Sequence, residues 1–153
     1  DLIRLSSEES PFLKLFPLND GDSIEVDGIR VTALALDHVV STLGYVVSDG
    51  STSIAIVSDT QPSDSIWNRL NAIPNLKALF LEAAFPSRMD WLAVKAKHLT
   101  PTLFESEVRK LRSDVPIIAV HIKPAFRTEI LEEFARLKIP RLTIGQPGED
   151  FEF

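Results

Sequence analysis

The 153-residue chain contains no cysteine, and this absence excludes several functional classes at once. Disulfide scaffolds, thiolate zinc sites and cysteine nucleophiles all require a residue that the chain lacks. No apolar run approaches the roughly 18 residues that a membrane-spanning helix needs. Basic residues are outnumbered as well, since 16 Lys and Arg stand against 22 Asp and Glu and give a net charge of −6. Because binding to a phosphate backbone requires clustered cations, this balance argues against a nucleic-acid partner.

The composition of the chain suits one globular domain. Hydrophobic residues make up 44% of the chain and charged residues 25%, both ordinary values for such a domain. The chain begins with Asp1 rather than Met and shows no signal-peptide pattern, so we expect it to be processed or partial. The lack of cysteine is compatible with a cytoplasmic location, which we favour, and with a periplasmic one.

The first third of the sequence predicts a β meander. Residues 1–20 show no clean period, and we predict a surface segment there. From Ser23 polar and apolar residues alternate, and Asp27-Gly28 is the strongest two-residue hairpin signal. A second alternating stretch over 44–57, with a turn at 49–51, brings the prediction to about four strands.

The remainder alternates between helical spacing and short apolar runs. Helices are predicted over 63–73, from Thr100 as an N-cap with Pro101 at the first helical position, and over 125–138. Strands buried on both faces are predicted at LKALFLEAAF and PIIAVHI, and terminal strands at RLTIG and DFEF.

This order predicts an α/β (α+β) fold in a single domain over residues 1–153, with helices covering one side of the sheet. A sheet covered on one side needs a second layer, so we expect the core to be incomplete.

Polar side chains follow the apolar runs at five places. They are His38, Asp59, Glu82, His98 and His121. Because functional groups of α/β proteins collect at the carboxyl ends of strands, these positions are those of a site. The alternative is structural: hydrogen-bonded histidines at strand edges, a turn or helix-cap aspartate and a glutamate facing water. Two histidines with one aspartate suit part of a hydrolytic metal site.

The order of five motifs resembles the metallo-β-lactamase superfamily in its phosphodiesterase branch. The motifs are DHVVSTLGYVV, IVSDT, FLEAAF, KHLTP and VHIKP, and they cover the chain from about residue 20 to its end. The closest likeness is to the class II cyclic-nucleotide phosphodiesterases, which have similar His-Leu-Thr-Pro and His-Ile-Lys-Pro elements.

The resemblance implies part of an αββα sandwich that hydrolyses 3′,5′-cyclic nucleotides (cAMP or cGMP) to 5′-monophosphates through a metal-bound hydroxide. It implies that His38, Asp59 and His121 bind two divalent metal ions, with Asp59 bridging them. Zinc is the first expectation and manganese the second. The resemblance further implies that His98 contacts the phosphate and protonates the leaving oxygen, and that Glu82 supports His98.

One departure from the family is large. Its His-x-His-x-Asp-His cluster is missing, and no two histidines lie closer than residues 98 and 121. The chain therefore resembles the C-terminal part of such a domain, and we expect an incomplete ligand set. The cluster would be truncated, supplied by another chain or lost.

Two other functions stay open at this point. One is a tRNA 3′-processing endonuclease of the same fold, against which the acidic charge and the Lys-Pro of the last motif argue. The other is a non-catalytic α/β interaction module with structural histidines. The sequence does not fix the oligomeric state, and a homodimer is compatible with it.

Overall fold

The computed structural model describes residues 16–153, which form one seven-stranded sheet with its strands side by side in chain order. The strands are β1 (Ser23–Val26), β2 (Ile29–Leu36), β3 (Thr42–Ser48), β4 (Ser53–Val57), β5 (Leu76–Glu82), β6 (Ile117–Val120) and β7 (Leu142–Ile144). The helices are α1 (Asp64–Asn71), α2 (Asp90–Ala96), α3 (Pro101–Val108) and α4 (Arg127–Leu137). Most of the predicted surface segment, residues 1–15, lies outside the described part.

The first four strands form the predicted antiparallel meander. β1 and β2 are joined at Asp27 and Gly28, whose φ angles of 51° and 81° are both left-handed. A two-residue hairpin with both central residues in this conformation follows the right-handed twist of the strands. The Asp-Gly signal in the sequence therefore identified both the turn and the register that pairs Val26 with Ile29.

The last four strands are parallel and connected by helices. α1 joins β4 to β5, α2 and α3 join β5 to β6, and α4 joins β6 to β7. β2 runs in the same direction as β4, because each is antiparallel to β3. The ends of β2, β4, β5 and β6 consequently meet at one edge of the sheet, which we call the carboxyl edge.

One face of the sheet, the first face, carries the hydrophobic core. Ala55, Leu79 and Ile117 lie in register on it and are almost completely buried. The apolar stripes of α1, α3 and α4 pack against them through residues that include Trp67, Phe104 and Phe134. Helices thus cover one side of the sheet, as the sequence predicts.

The opposite face, the second face, is covered less completely. Its matching row contains Tyr45, Ile56 and Phe80, and Ile56 is 39% exposed. The predicted terminal strand at DFEF is wrong, since residues 150–153 form no strand. The rings of Phe151 and Phe153 instead lie edge-on to Phe80, with centroids 5.5 and 6.1 Å away. The tail therefore contacts the second face through these rings, and Phe153 stays 47% exposed.

Two further outcomes concern single elements. Thr100 caps α3 as predicted, because its hydroxyl accepts a hydrogen bond from the Leu103 N–H. The short helix α2 was not predicted, and it ends at Lys97, whose φ of 54° is left-handed. Among residues 16–153, no helix has the length and apolarity needed to cross a bilayer.

Candidate metal centre at the carboxyl edge of the sheet

Asp59 lies two residues beyond the end of β4 and holds a carboxylate oxygen without a hydrogen-bond partner. This oxygen, Oδ1, is buried and lies 3.5 Å from Nε2 of His121. The other oxygen, Oδ2, lies 3.9 Å from Nε2 of His38. Burying a carboxylate oxygen without a partner costs free energy, and a bound cation would remove that cost. The carboxylate between two imidazoles is therefore the geometric centre of the site.

His38 presents one particular nitrogen to Asp59. Its Nδ1 lies 3.0 Å from the Lys97 carbonyl oxygen. Because a carbonyl oxygen only accepts hydrogen bonds, Nδ1 carries the proton and Nε2 keeps a free lone pair. The side chain is only 8% exposed, which fixes the ring in place. A backbone carbonyl that orients a histidine in this manner is a common feature of metal ligands.

Hydrogen bonds to Asp37 connect the loop that carries His38 to the neighbouring segments. The Asp37 carboxylate lies 2.6 Å from the Lys97 ammonium and also accepts a hydrogen bond from the Gln61 amide. These two hydrogen bonds, that of Lys97 first, hold the pKa of Asp37 below its usual range. The carboxylate consequently stays ionised at neutral pH and connects the loop after β2 to the segment that precedes His98.

Glu82, at the end of β5, is completely buried and accepts four hydrogen bonds. Oε1 accepts from Nδ1 of His98 at 2.8 Å and from the N–H groups of Thr60 and Leu99. Oε2 accepts from the N–H of Ala84 at 2.9 Å. The sequence alternative of a water-facing glutamate is therefore wrong. The carboxylate joins the loops after β4 and β5 to the loop before α3.

His98 and His121 complete the cluster. The hydrogen bond to Glu82 leaves Nε2 of His98 free, and donor atoms of His38, Asp59 and His98 lie within 4.8 Å of one another. The His121 ring stacks on that of His98 with a centroid distance of 6.1 Å. His121 has a left-handed φ of 53°, a conformation that non-glycine residues adopt mostly where function or packing imposes it.

The structure thus brings together all five residues that the sequence indicated. Imidazole nitrogens and carboxylate oxygens are the donor set of zinc and manganese sites, and the unpartnered oxygen of Asp59 gives a cation a place to bind. The residues therefore fit a divalent metal. His98 lies close enough to the other donors to be a ligand, so its assignment as the proton donor stays a prediction.

Two neighbouring side chains that the sequence analysis did not single out lie beside the cluster. Phe85 packs its edge against the His98 ring with centroids 5.5 Å apart, and the Lys123 ammonium lies 4.0 Å from the centre of the Phe85 ring. Lys123 belongs to the VHIKP motif, which was the only available signal. A groove of about 650 Å³ also begins at His121 and continues past Arg127 and Phe80 along the second face.

Comparison with solved structures identifies the fold. The metallo-β-lactamase fold protein YhfI from Bacillus subtilis superposes with a TM-score of 0.69 at 16% identity, over 86% of this chain and 52% of that one. A diphosphatase of the PhnP family superposes with a TM-score of 0.63 at 21% identity, over 87% and 47%. The short form of human tRNase Z gives 0.59 at 15% identity, over 80% and 42%.

These likenesses show that the chain has the metallo-β-lactamase type of α/β fold, as the resemblance predicted. The chain spans about half the length of the structures it matches. No protein-family model matches the sequence, and no curated protein matches it significantly.

Proposed function

We propose that the chain is the C-terminal part of the catalytic domain of a metal-dependent phosphodiesterase that hydrolyses 3′,5′-cyclic nucleotides to 5′-monophosphates. The observation that carries the proposal is the Asp59 carboxylate, whose buried, unpartnered oxygen faces His121 while its other oxygen faces His38. A third histidine, His98, is held beside it by a buried glutamate. Metal ligands next to a separately supported imidazole are what phosphoryl hydrolysis requires.

Each residue then has a role. His38, Asp59 and His121 would hold the divalent metal ions, which when bound supply Lewis-acid activation of water and of the phosphoryl group. His98 would donate a proton from Nε2 to the departing 3′ oxygen. Glu82, through its 2.8 Å hydrogen bond to Nδ1, would orient the His98 ring and stabilise its positive charge before the proton leaves.

Two observations support a small phosphorylated substrate. The net charge of −6 disfavours a long phosphate backbone as a partner. One of the structures with the same fold is a diphosphatase, so the fold accommodates chemistry at phosphorus. The cyclic-nucleotide branch is favoured by the motifs at His98–Pro101 and His121–Pro124, each of which places Pro three residues after a site histidine.

A tRNA 3′-processing nuclease is the second candidate, and the similarity to human tRNase Z favours it. The two activities are distinguished by their substrates. Release of 5′-AMP from cAMP supports the phosphodiesterase, and cleavage of a tRNA precursor supports the tRNA-processing nuclease. Absence of metal binding and of both cleavage reactions would favour either the third possibility, a non-catalytic interaction module, or a site that is completed only by residues outside this chain.

The first experiment is a zinc and manganese titration of the full chain, followed by cAMP and cGMP hydrolysis at saturating metal in the complete catalytic domain, because this chain lacks the family's His-x-His-x-Asp-His cluster. We expect metal binding that disappears in His38→Ala, because that variant removes a donor nitrogen beside Asp59. Lys77→Met, which changes an exposed residue at the other end of β5, is the matched control. Equal metal binding by His38→Ala and the control would overturn the proposed centre.

His98→Ala tests the division of roles. We expect unchanged metal content and a rate lower by about 10²–10⁴, the range for loss of a general acid. Loss of metal from His98→Ala would make His98 a ligand, consistent with its distance from the other donors.

A further inference from the structure

We infer that Lys123 binds the negative charge of the substrate phosphate, and that Phe85 holds its ammonium in position for this purpose. The ammonium lies 4.0 Å from the centre of the Phe85 ring. The same ring contacts His98, so a single aromatic side chain separates the cation from the candidate proton donor. This inference rests on the proposed function, since it assigns the recognition of an anionic substrate to the same site.

Lys123 differs in its environment from two other cations at the carboxyl edge, whereas Arg127, whose printed partner among the described residues is the Gln146 amide oxygen, also lacks a carboxylate. Lys97 is paired with Asp37, and Arg88 with Glu129. Within residues 16–153, Lys123 has no carboxylate at ion-pair distance. An uncompensated positive charge is therefore present beside the site of a chain whose net charge is −6.

The position of the ammonium has a physical cause. The face of an aromatic ring is negative, and a cation above it is attracted while one side stays open to other ligands. Phe85 is 7% exposed and packed with α2, so the ring is a fixed support. Lys123 is itself placed by the chain that follows His121, where Pro124 begins a 3₁₀ turn. Both partners of the contact are thus fixed by the elements that also position the histidines.

A phosphate oxygen is a suitable occupant of the open side. Lys binds phosphate as a compact point charge with three donors, and charge-assisted hydrogen bonds are among the strongest available to a protein. A groove with room for a small molecule is lined by His121 and Ile122, the two residues that directly precede Lys123 in the chain. Lys123 is therefore assigned to substrate binding, whereas proton transfer is assigned to His98.

The test compares Lys123→Met with Lys123→Arg, and with Lys77→Met as an exposed control that has the same change of charge. Inorganic phosphate is the probe, measured by calorimetry on the metal-loaded full chain. We expect Lys123→Met to weaken phosphate binding about tenfold to a hundredfold, as for a lost hydrogen bond to a charged group. Lys123→Arg should restore most of it and the control should change it little.

Kinetics give the second measurement. In cyclic-nucleotide hydrolysis, Lys123→Met should raise KM with kcat nearly unchanged, because uniform binding is lost. Equal phosphate binding by Lys123→Met and the control would overturn the inference, whether or not the chain hydrolyses cyclic nucleotides. Phosphate binding that depends on Lys123 without any hydrolysis would instead retain the inference about binding and reject the proposed function.

Phe85→Leu tests how much the aromatic ring of Phe85 contributes to phosphate binding by Lys123. Leucine keeps an apolar side chain in the α2 cluster but removes the aromatic face. We expect an intermediate loss of phosphate affinity, and Phe85→Tyr should behave as the natural residue does. Identical phosphate affinities of Phe85→Leu and the unmodified chain would remove Phe85 from the inference.

Discussion

The first face of the sheet and its carboxyl edge are stabilised in opposite ways. On the first face, Leu79 and Phe104 are fully buried in a continuous apolar core. At the carboxyl edge, Asp59 buries an oxygen without a partner, His121 has a left-handed backbone and Lys123 carries an unpaired charge among the described residues. Left-handed residues also occur elsewhere, as at Asp27 and Lys138, but at the carboxyl edge one coincides with an unpartnered carboxylate oxygen. Such a combination marks a part of a fold that serves function, and the core supplies the stability that tolerates it.

The largest expected effect comes from Asp59→Ala, which should abolish metal binding without lowering the stability of the fold. Metal binding by the chain and hydrolysis by the complete catalytic domain should both be lost, because the central carboxylate disappears. The free energy of unfolding of the metal-free chain should be unchanged or higher, because a buried, unsatisfied oxygen is removed. Elemental analysis and urea unfolding measure the two quantities. A large loss of stability would place Asp59 in the framework of the fold instead.

Leu79→Ala, on the first face, should have the opposite effect, since it should lower stability and leave metal binding unchanged. It should cost about 2–5 kcal/mol of unfolding free energy, as for other leucines in well-packed cores. Phe80→Ala, at the next residue and on the partly exposed second face, should cost less despite the larger side chain. Urea midpoints compare the two variants, and the reversed order would contradict the contrast between the faces. Zinc affinity of the folded Leu79→Ala chain should be unchanged.

Glu82→Gln should affect stability and chemistry together, because Glu82 is completely buried and also accepts the hydrogen bond of His98. The substitution replaces one carboxylate oxygen, which accepts hydrogen bonds from backbone N–H groups, with an amide NH₂ group. That NH₂ group is itself a donor, so it would face N–H donors with no acceptor between them. We expect a loss of about 1–3 kcal/mol of unfolding free energy, together with slower hydrolysis. Chemical unfolding and hydrolysis rates measured on the same preparation check this result. A change in only one of the two would contradict the double role.

Asp20→Asn should give the smallest effect and has a defined pH dependence. The hydrogen bond from Arg69, followed by that from the Ala35 N–H, lowers the pKa of the Asp20 carboxyl. A lowered pKa stabilises the fold above the ordinary value of about 4, and this stabilisation is lost as the pH falls through the lowered pKa. The difference from Asp20→Asn should be under about 1 kcal/mol at neutral pH and vanish in acid. A difference that grows in acid would contradict the assignment.

Local sequence signals were sufficient for much of the fold. Asp27-Gly28 predicted the hairpin because only a left-handed pair closes a two-residue turn with the right twist. Thr100 and Pro101 predicted the start of α3 because both act within one turn of the helix. DFEF failed because alternation over four residues does not determine whether a chain segment pairs with the sheet edge, and its two rings contact Phe80 instead.

The members of the site were predictable, but their connections were not. His38, Asp59, Glu82 and His121 follow strand-like runs, and parallel strands bring such ends to one edge. The hydrogen bond from His38 to the Lys97 carbonyl spans 59 residues and involves a backbone atom, for which the sequence contains no signal. The contact of Lys123 with Phe85 likewise depends on how two loops pack.

The four hydrogen bonds to Glu82 also have a dynamic consequence. The N–H groups of Thr60, Ala84 and Leu99 all donate to one carboxylate, although 39 residues separate the first from the last. Loss of that carboxylate from its position removes the acceptor of the Thr60 and Leu99 amides in a single event, whereas the Ala84 N–H also donates to the Leu99 carbonyl oxygen at 3.1 Å. Exchange of the Thr60 and Leu99 amides with deuterium should therefore proceed with one common opening free energy, so that two loops distant in sequence behave as one cooperative unit.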